Sequence, residues 1–178
     1  MQKHDSALSF NEQVAPIFST SDHIAMQLAL QLAQRAWQHG EVPVGAVVLD
    51  AQGQLIGQGF NQVILGHDPS LHAELVALRQ ATAQAKNYRL PGAQLFVTLE
   101  PCVMCLGAMF HARISRIVYA APDPKTGACG SLLCLHHNQQ LNHHTQVQSG
   151  LLQDQAAQLL RDFFKERRAL AKQKRLSL

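Results

Sequence analysis

Ala93-Gln94-Leu95-Phe96-Val97-Thr98-Leu99-Glu100-Pro101-Cys102-Val103-Met104-Cys105 runs from one kind of secondary structure straight into another. Ala93 to Leu99 is an apolar run of the length of a buried strand. Pro101 suits the first turn of a helix, because the N–H it lacks has no partner there. That helix is expected to reach about Arg113, and Arg116 to Ala120 reads as the next strand. Strand, helix and strand in direct succession are the repeating unit of an α/β fold.

The same alternation extends in both directions. Upstream, Ser21-Asp22 offers an N-cap, and Ile24, Leu28, Leu32 and Ala36 recur at helical spacing up to a stop at Gly40. Val42 to Asp50 and Leu55 to Asn61 read as a hairpin around the turn Ala51-Gln52-Gly53-Gln54. Asp68-Pro69-Ser70 interrupts the chain, and Ser70 is expected to cap a helix from Leu71 to about Gln84 with Leu71, Leu75 and Leu78 on one face. Downstream, Asp123 to Ser131 is a loop, Thr145 to Gln148 a short fifth strand, and Leu151 to about Lys172 a long amphipathic helix. The pattern predicts a three-layer α/β/α sandwich around a mixed five-stranded sheet. Residues 1–20 are expected to be a loosely ordered extension and residues 21–178 one domain.

Composition narrows the class. Apolar residues make up 47% of the 178, which favours a folded globular chain. The longest apolar stretches fall far short of the ~20 residues of a membrane span. Met1 to Thr20 lacks a basic segment followed by an apolar one, so no secretory signal and a cytoplasmic location with reduced thiols are expected. Charge is unevenly placed. Between Arg161 and Leu178 there are seven basic and two acidic residues, a net of +5, whereas the other 160 residues carry a net of −2. Such a tail suits a phosphate backbone, and it equally suits the negative end of a helix.

The chemistry lies in His72-Ala73-Glu74 and Pro101-Cys102-Val103-Met104-Cys105. One imidazole and two thiolates supply three ligands to zinc and leave a fourth position open to water. Cys102 and Cys105 are three residues apart, so both face one side of a first helical turn, where the helix dipole favours thiolate. Two thiolates largely neutralise the ion and leave its water less acidic, so a base is needed, and Glu74 is placed to move the proton without being a ligand. A lone Cys-x-x-Cys is equally a redox pair or half of a closed site. Cys129 and Cys134 do not repeat the spacing, which argues against a four-cysteine ribbon. His-x-Glu followed by Pro-Cys-x-x-Cys is the signature of zinc-dependent nucleobase deaminases.

Further strings carry a resemblance. Glu41-Val42-Pro43-Val44-Gly45-Ala46, Asn61, Asp68-Pro69-Ser70-Leu71-His72-Ala73-Glu74, Asn87-Tyr88-Arg89-Leu90, Leu99 to Cys105, Asp123-Pro124-Lys125-Thr126-Gly127 and Asp162-Phe163-Phe164 with Arg167-Arg168 occur in family order. Together, over about residues 22 to 172, they resemble the bacterial tRNA-specific adenosine deaminases of the cytidine and deoxycytidylate deaminase family. The resemblance implies a cytidine-deaminase-like fold, one zinc per subunit, a homodimer, and hydrolysis of the wobble adenosine, position 34 of a tRNA anticodon, to inosine. It makes His72, Cys102 and Cys105 the zinc ligands and Glu74 the proton shuttle. Asn61 would bind the target base, and the backbone at Val44 and Ala73 would help form its pocket. Asp123 and Lys125 would meet the anticodon nucleotides, and Phe164, Arg167 and Arg168 the RNA. Ser70 stands where the family usually has Thr.

Other positions have blander readings. Of Phe163 and Phe164, at least one is expected in the core. The apolar run Met104, Leu106, Met109 and Phe110 is either core or interface. Cys129 and Cys134 are expected to be buried inert thiols, and His111 a surface or interface residue. His136-His137 and His143-His144 read as a solvated loop, with no Cys or carboxylate seen to frame them. Two rivals are a deaminase of the same fold acting on free guanine, cytosine or a nucleoside, and a zinc-stabilised RNA-binding module without catalysis. Glu74 argues against the second, since a closed site needs a fourth ligand rather than a free base.

Overall fold

The computed structural model describes residues 17–176. Residues 1–16, most of the expected extension, lie outside the described residues. Ten elements follow in order: α1 Thr20–Gln38, β1 Gly45–Leu49, β2 Leu55–Phe60, α2 Ala73–Ala85, β3 Gln94–Leu99, α3 Val103–His111, β4 Arg116–Ala121, a 3-10 turn Leu135–His137, β5 Gln146–Ser149 and α4 Gln153–Leu176. The strands form one sheet in the order β2-β1-β3-β4-β5. β1 is antiparallel to both β2 and β3, while β3, β4 and β5 run parallel. The sheet is therefore mixed, and β2 points the same way as β3.

Strand alternation creates two cores. Ala46, Val48, Leu95, Val97 and Ile117 face α2 and α3. Val47, Phe96, Val118 and Ala120 face α1 and the start of α4. These are the two faces of a pleated sheet with period two. The three-layer sandwich follows, with α2 and α3 on one side and α1 and α4 on the other.

Local chemistry shifts two boundaries. Ser19, not Ser21, caps α1, in a reciprocal capping box with Asp22. Of the expected face of α1, Leu32 and Ala36 are inside and Leu28 is partly buried; Ala25, Met26, Ala29 and Ala33 join them, while Ile24 is 62% exposed. Ala29 and Ala33 occupy the part of that face over β1, because the helix lies close against the sheet there. A Cβ on Gly45 of β1 would stand 2.1 Å from the carbonyl oxygen of Ala29. Gly40 stops the helix as expected, at φ +75°.

Arg116, at the start of β4, ties the layers together at one end of the sheet. Its guanidinium donates to both Asp22 oxygens, at 2.7 and 2.9 Å, and to Gln94 and Gln148 on the flanking strands. This bidentate pair, led by the hydrogen bond from Arg116, holds the Asp22 carboxyl below its ordinary value of 3.8. A depressed carboxylate stabilises the fold above its unfolded pKa, and the effect disappears as pH falls through the folded value. Asp22→Asn is therefore expected to lower unfolding free energy by about 1.5–3 kcal/mol at neutral pH. The difference from the natural chain should close as pH drops below about 3.9. Urea unfolding followed at several pH values checks this, and a difference independent of pH would show that the carboxylate charge is not involved.

Candidate active site

The C-terminal ends of β2 and β3 point the same way, with β1 between them, and each leads toward the start of a helix on the same face. The two starts meet there. His72 is the N-cap of α2 and Cys102 the N-cap of α3, both with extended backbone, and Cys105 completes the first turn of α3. His72 thus stands just before its helix, not two residues inside it. Ser70 does not cap α2: its N–H and hydroxyl both donate to Asp68 Oδ1 at 2.7 Å. Gly59 permits the close seating of α2 on β2, since a Cβ there would lie 2.5 Å from the carbonyl oxygen of Ala73.

The three donor atoms form a nearly equilateral triangle. His72 Nδ1 lies 3.7 Å from Cys102 Sγ and 3.6 Å from Cys105 Sγ, and the sulfurs are 3.7 Å apart. Tetrahedral bonds of about 2.3 Å to sulfur and about 2.0 Å to nitrogen require edges of about 3.8 and about 3.6 Å. The donor set therefore fits zinc in both type and spacing, with one tetrahedral position left open. Protons are shared unequally within the triangle. The hydrogen bond with Cys105, and after it that with His72, brings the Cys102 thiol down to about 4 despite its partial burial. The same contact, with burial, pushes Cys105 up. His72 is raised, chiefly by its hydrogen bond with Cys102.

Glu74, in the first turn of α2, is buried at 3% exposure. Burial drives its carboxyl up to about 7, opposed by a hydrogen bond from its own backbone N–H and by the nearby His72. A carboxyl poised there can hold or release a proton under neutral conditions. It lines a cavity of about 320 Å³ together with His72 and Cys102. That volume is at the lower end of the roughly 300–1,000 Å³ of small-molecule sites.

Asn61 and Val44 line the same cavity. Asn61 Oδ1 accepts from the N–H of Ala73 at 2.9 Å, and its own N–H donates to the carbonyl of Val44 at 3.1 Å. These three residues are thus fastened to one another, which leaves the Asn61 amide nitrogen as the group with unused donors. Asp123 is at the rim, and its carboxylate is taken up within its own loop by the N–H groups of Lys125 and Thr126 and the Thr126 hydroxyl. Lys125 is exposed beside it. Phe164, Arg167 and Arg168 are exposed on α4, outside the cavity. Phe163 is the core member of its pair, edge-on to Trp37 at 5.8 Å. The Arg167 guanidinium approaches Gly40, one residue before the cavity residue Glu41.

Two carboxylates have roles that sequence reasoning missed. Glu41 is 2% exposed and accepts from the N–H groups of Ile64 and Leu65, both at 2.8 Å. Glu100 is 3% exposed and accepts from the N–H groups of Asp123, Cys129 and Ser131 and from the Ser131 hydroxyl. Each pins one loop at the cavity mouth. For Glu100 an ionisable residue directly after an apolar strand was the available signal, but which amides either carboxylate would meet depends on loops distant in sequence.

Two expectations for the loop after β4 are corrected. Cys134 is exposed rather than buried, and it adjoins His136 and His137, whereas Cys129 is buried as expected. His143 donates from Nε2 to the carbonyl of Ile114 at 2.7 Å, so it belongs to the local packing. On α3, Leu106 and Met109 are core, while Met104 is 40% exposed.

Comparison with known proteins agrees with this geometry. The cytidine and deoxycytidylate deaminase zinc-binding region matches residues 19–121. The chain belongs to the cytidine and deoxycytidylate deaminase family. Within it, the chain is 46% identical over 154 residues to the tRNA-specific adenosine deaminase of Haemophilus influenzae, covering 86% of this chain and 89% of that one. A solved tRNA:A34 deaminase, from work on A-to-I editing at the wobble position of transfer RNA, superposes with a TM-score of 0.74 at 40% identity. It covers 77% of this chain and 99% of its own. The guanine deaminase of Nitrosomonas europaea is similar at 27% identity, with a TM-score of 0.70, covering 86% and 88% of the two chains.

The Glu100 contacts yield a direct expectation. Glu100→Gln offers fewer acceptors and sets an amide NH₂ among N–H donors. Amide exchange at Asp123, Cys129 and Ser131 should accelerate, with each missing charge-assisted hydrogen bond contributing about 1.5–3 kcal/mol. Residue-resolved hydrogen exchange reads this, and unchanged protection at all three positions would contradict the role given to Glu100.

Proposed function

We propose that the chain hydrolyses adenosine to inosine at the wobble position of a tRNA anticodon, with zinc held by His72, Cys102 and Cys105. The observation that carries the proposal is the buried Glu74 carboxyl in the same cavity as a three-ligand centre with one position open. When bound, zinc supplies Lewis acidity that activates a water molecule. Glu74 accepts a proton from that water as its oxygen adds to C6 of the base. It then returns the proton to the departing amino group, so that adenosine and water become inosine and ammonia. The amide nitrogen of Asn61 has the donors to orient the ring, and Val44 and Ala73 fix Asn61 from both sides. A wobble base already lies in a loop, so splaying it into a cavity costs less than opening a duplex.

The choice of tRNA over a free base rests on two supports. The relative with the higher identity is named a tRNA-specific adenosine deaminase, and the 27% likeness is to a guanine deaminase. The exposed Phe164, Arg167 and Arg168 on α4 supply a stacking ring and cations, with the Arg167 guanidinium beside Gly40, and Lys125 adds charge at the Asp123 loop. A homodimer through the outer face of α3 is proposed as well, where Val103 and Met104 remain exposed at 48% and 40%. No helix among the described residues is long and apolar enough to cross a membrane, and a tRNA substrate would be met in the cytoplasm.

Incubation with an anticodon stem-loop carrying adenosine at the wobble position should yield inosine. Deamination of free guanine with none of the stem-loop would overturn the proposal. Glu74→Ala should retain zinc and fold while turnover drops by about 10²–10⁴-fold. Charge reversal at Arg167, Arg168 and Lys172 should weaken stem-loop binding and flatten its salt dependence by about 0.7 in log–log slope for each phosphate no longer neutralised. An unaltered slope would reduce α4 to a solvated helix end.

A further inference from the structure

We propose that Cys134, His136 and His137 form a second metal site, distinct from the catalytic triangle and suited to a zinc-type divalent ion. These three residues offer donor atoms that all lie within 4.8 Å of one another. Both imidazoles turn Nδ1 toward the same sulfur, His137 at 3.3 Å and His136 at 3.8 Å. A tetrahedral ion with one thiolate and imidazole ligands needs sulfur–nitrogen edges of about 3.6 Å, so each distance is already within a few tenths of an ångström. The two nitrogens must close to about 3.3 Å, a movement available to the exposed ring of His137. One thiolate and two imidazoles match the ligand preferences of zinc, and a fourth position stays open to solvent.

The backbone beneath the cluster is held in place. Cys134 is paired with Cys129 across an antiparallel bridge, with Gly130 N–H donating to Leu133 and Leu135 N–H to Ala128. Leu135 packs against the α2–α3 core, which anchors the 3-10 turn carrying both histidines. Cys129, on the other strand, donates its N–H to Glu100. The three ligands therefore stand on a platform fixed from the core side and open on the outer side, as a loadable surface site requires. A bound ion would lock the turn to the hairpin that Glu100 already holds.

The inference does not rest on the proposed substrate, and metal counting tests it without any activity measurement. Metal-free full-length chain is titrated with Zn²⁺ against a chromophoric chelator. The natural chain should take two ions per chain, His136→Ala/His137→Ala should take one, and Cys102→Ser/Cys105→Ser should also take one. Loaded with Co²⁺ instead, the Cys102→Ser/Cys105→Ser chain should still show a thiolate-to-cobalt charge-transfer band, and adding Cys134→Ser should abolish it. If removal of Cys102 and Cys105 prevents folding, the difference between the natural chain and His136→Ala/His137→Ala answers the question alone, since both histidines are outside the core. A natural chain that binds a single ion, with no loss in His136→Ala/His137→Ala, overturns the proposal. That result would leave the catalytic centre untouched, just as loss of only the catalytic ion would leave this site standing.

Discussion

Everything at the site depends on two helices beginning at one point. β2 and β3 run in the same direction with β1 between them, and each leads to a helix on the same face of the sheet. The starts of α2 and α3 therefore emerge together at the C-terminal edge of the sheet, where open α/β folds place their ligands. Each start has a metal-binding side chain at its N-cap, His72 on one and Cys102 on the other. Unused N–H groups at helix starts favour negative charge, which suits thiolates. Small residues make the convergence possible: Gly59 and Gly57 let α2 rest directly on β2.

Three buried carboxylates then divide the work by their surroundings. Glu41 and Glu100 each accept several hydrogen bonds from loop amides and serve as anchors. Glu74 sits in the first turn of α2 with burial dominating, and its carboxyl rises to about 7. The same side-chain chemistry yields a loop fastener where amides converge and a proton carrier where they do not. Because Glu100 also holds the hairpin of Cys129 and Cys134, the rim of the cavity and the second histidine cluster hang from one group.

Much of the fold was legible because strands and helices alternate in composition as well as in pattern. The five strands and four helices appear where periodicity and the turn residues place them, within a few residues. The misreadings have local causes. Ser19 rather than Ser21 caps α1, because its hydroxyl is positioned to receive the Asp22 N–H. Ile24 points outward, while Ala29 and Ala33 face β1 at Gly45, where the helix lies too close for a Cβ on the strand. Ser70 is engaged by Asp68 and so cannot cap α2.

The sequence by itself determined the ligand types, the base and the order of elements, since those follow from residue identity and short-range spacing. Residue spacing shows that Cys102 and Cys105 share a turn, and no spacing can show that His72, thirty positions earlier, stands 3.7 Å from one of them. Only the tertiary structure decided that distance, through strand order and the close seating of α2. It also decided which carboxylates became anchors. Those outcomes depend on packing between segments far apart in the chain, which local propensity does not encode.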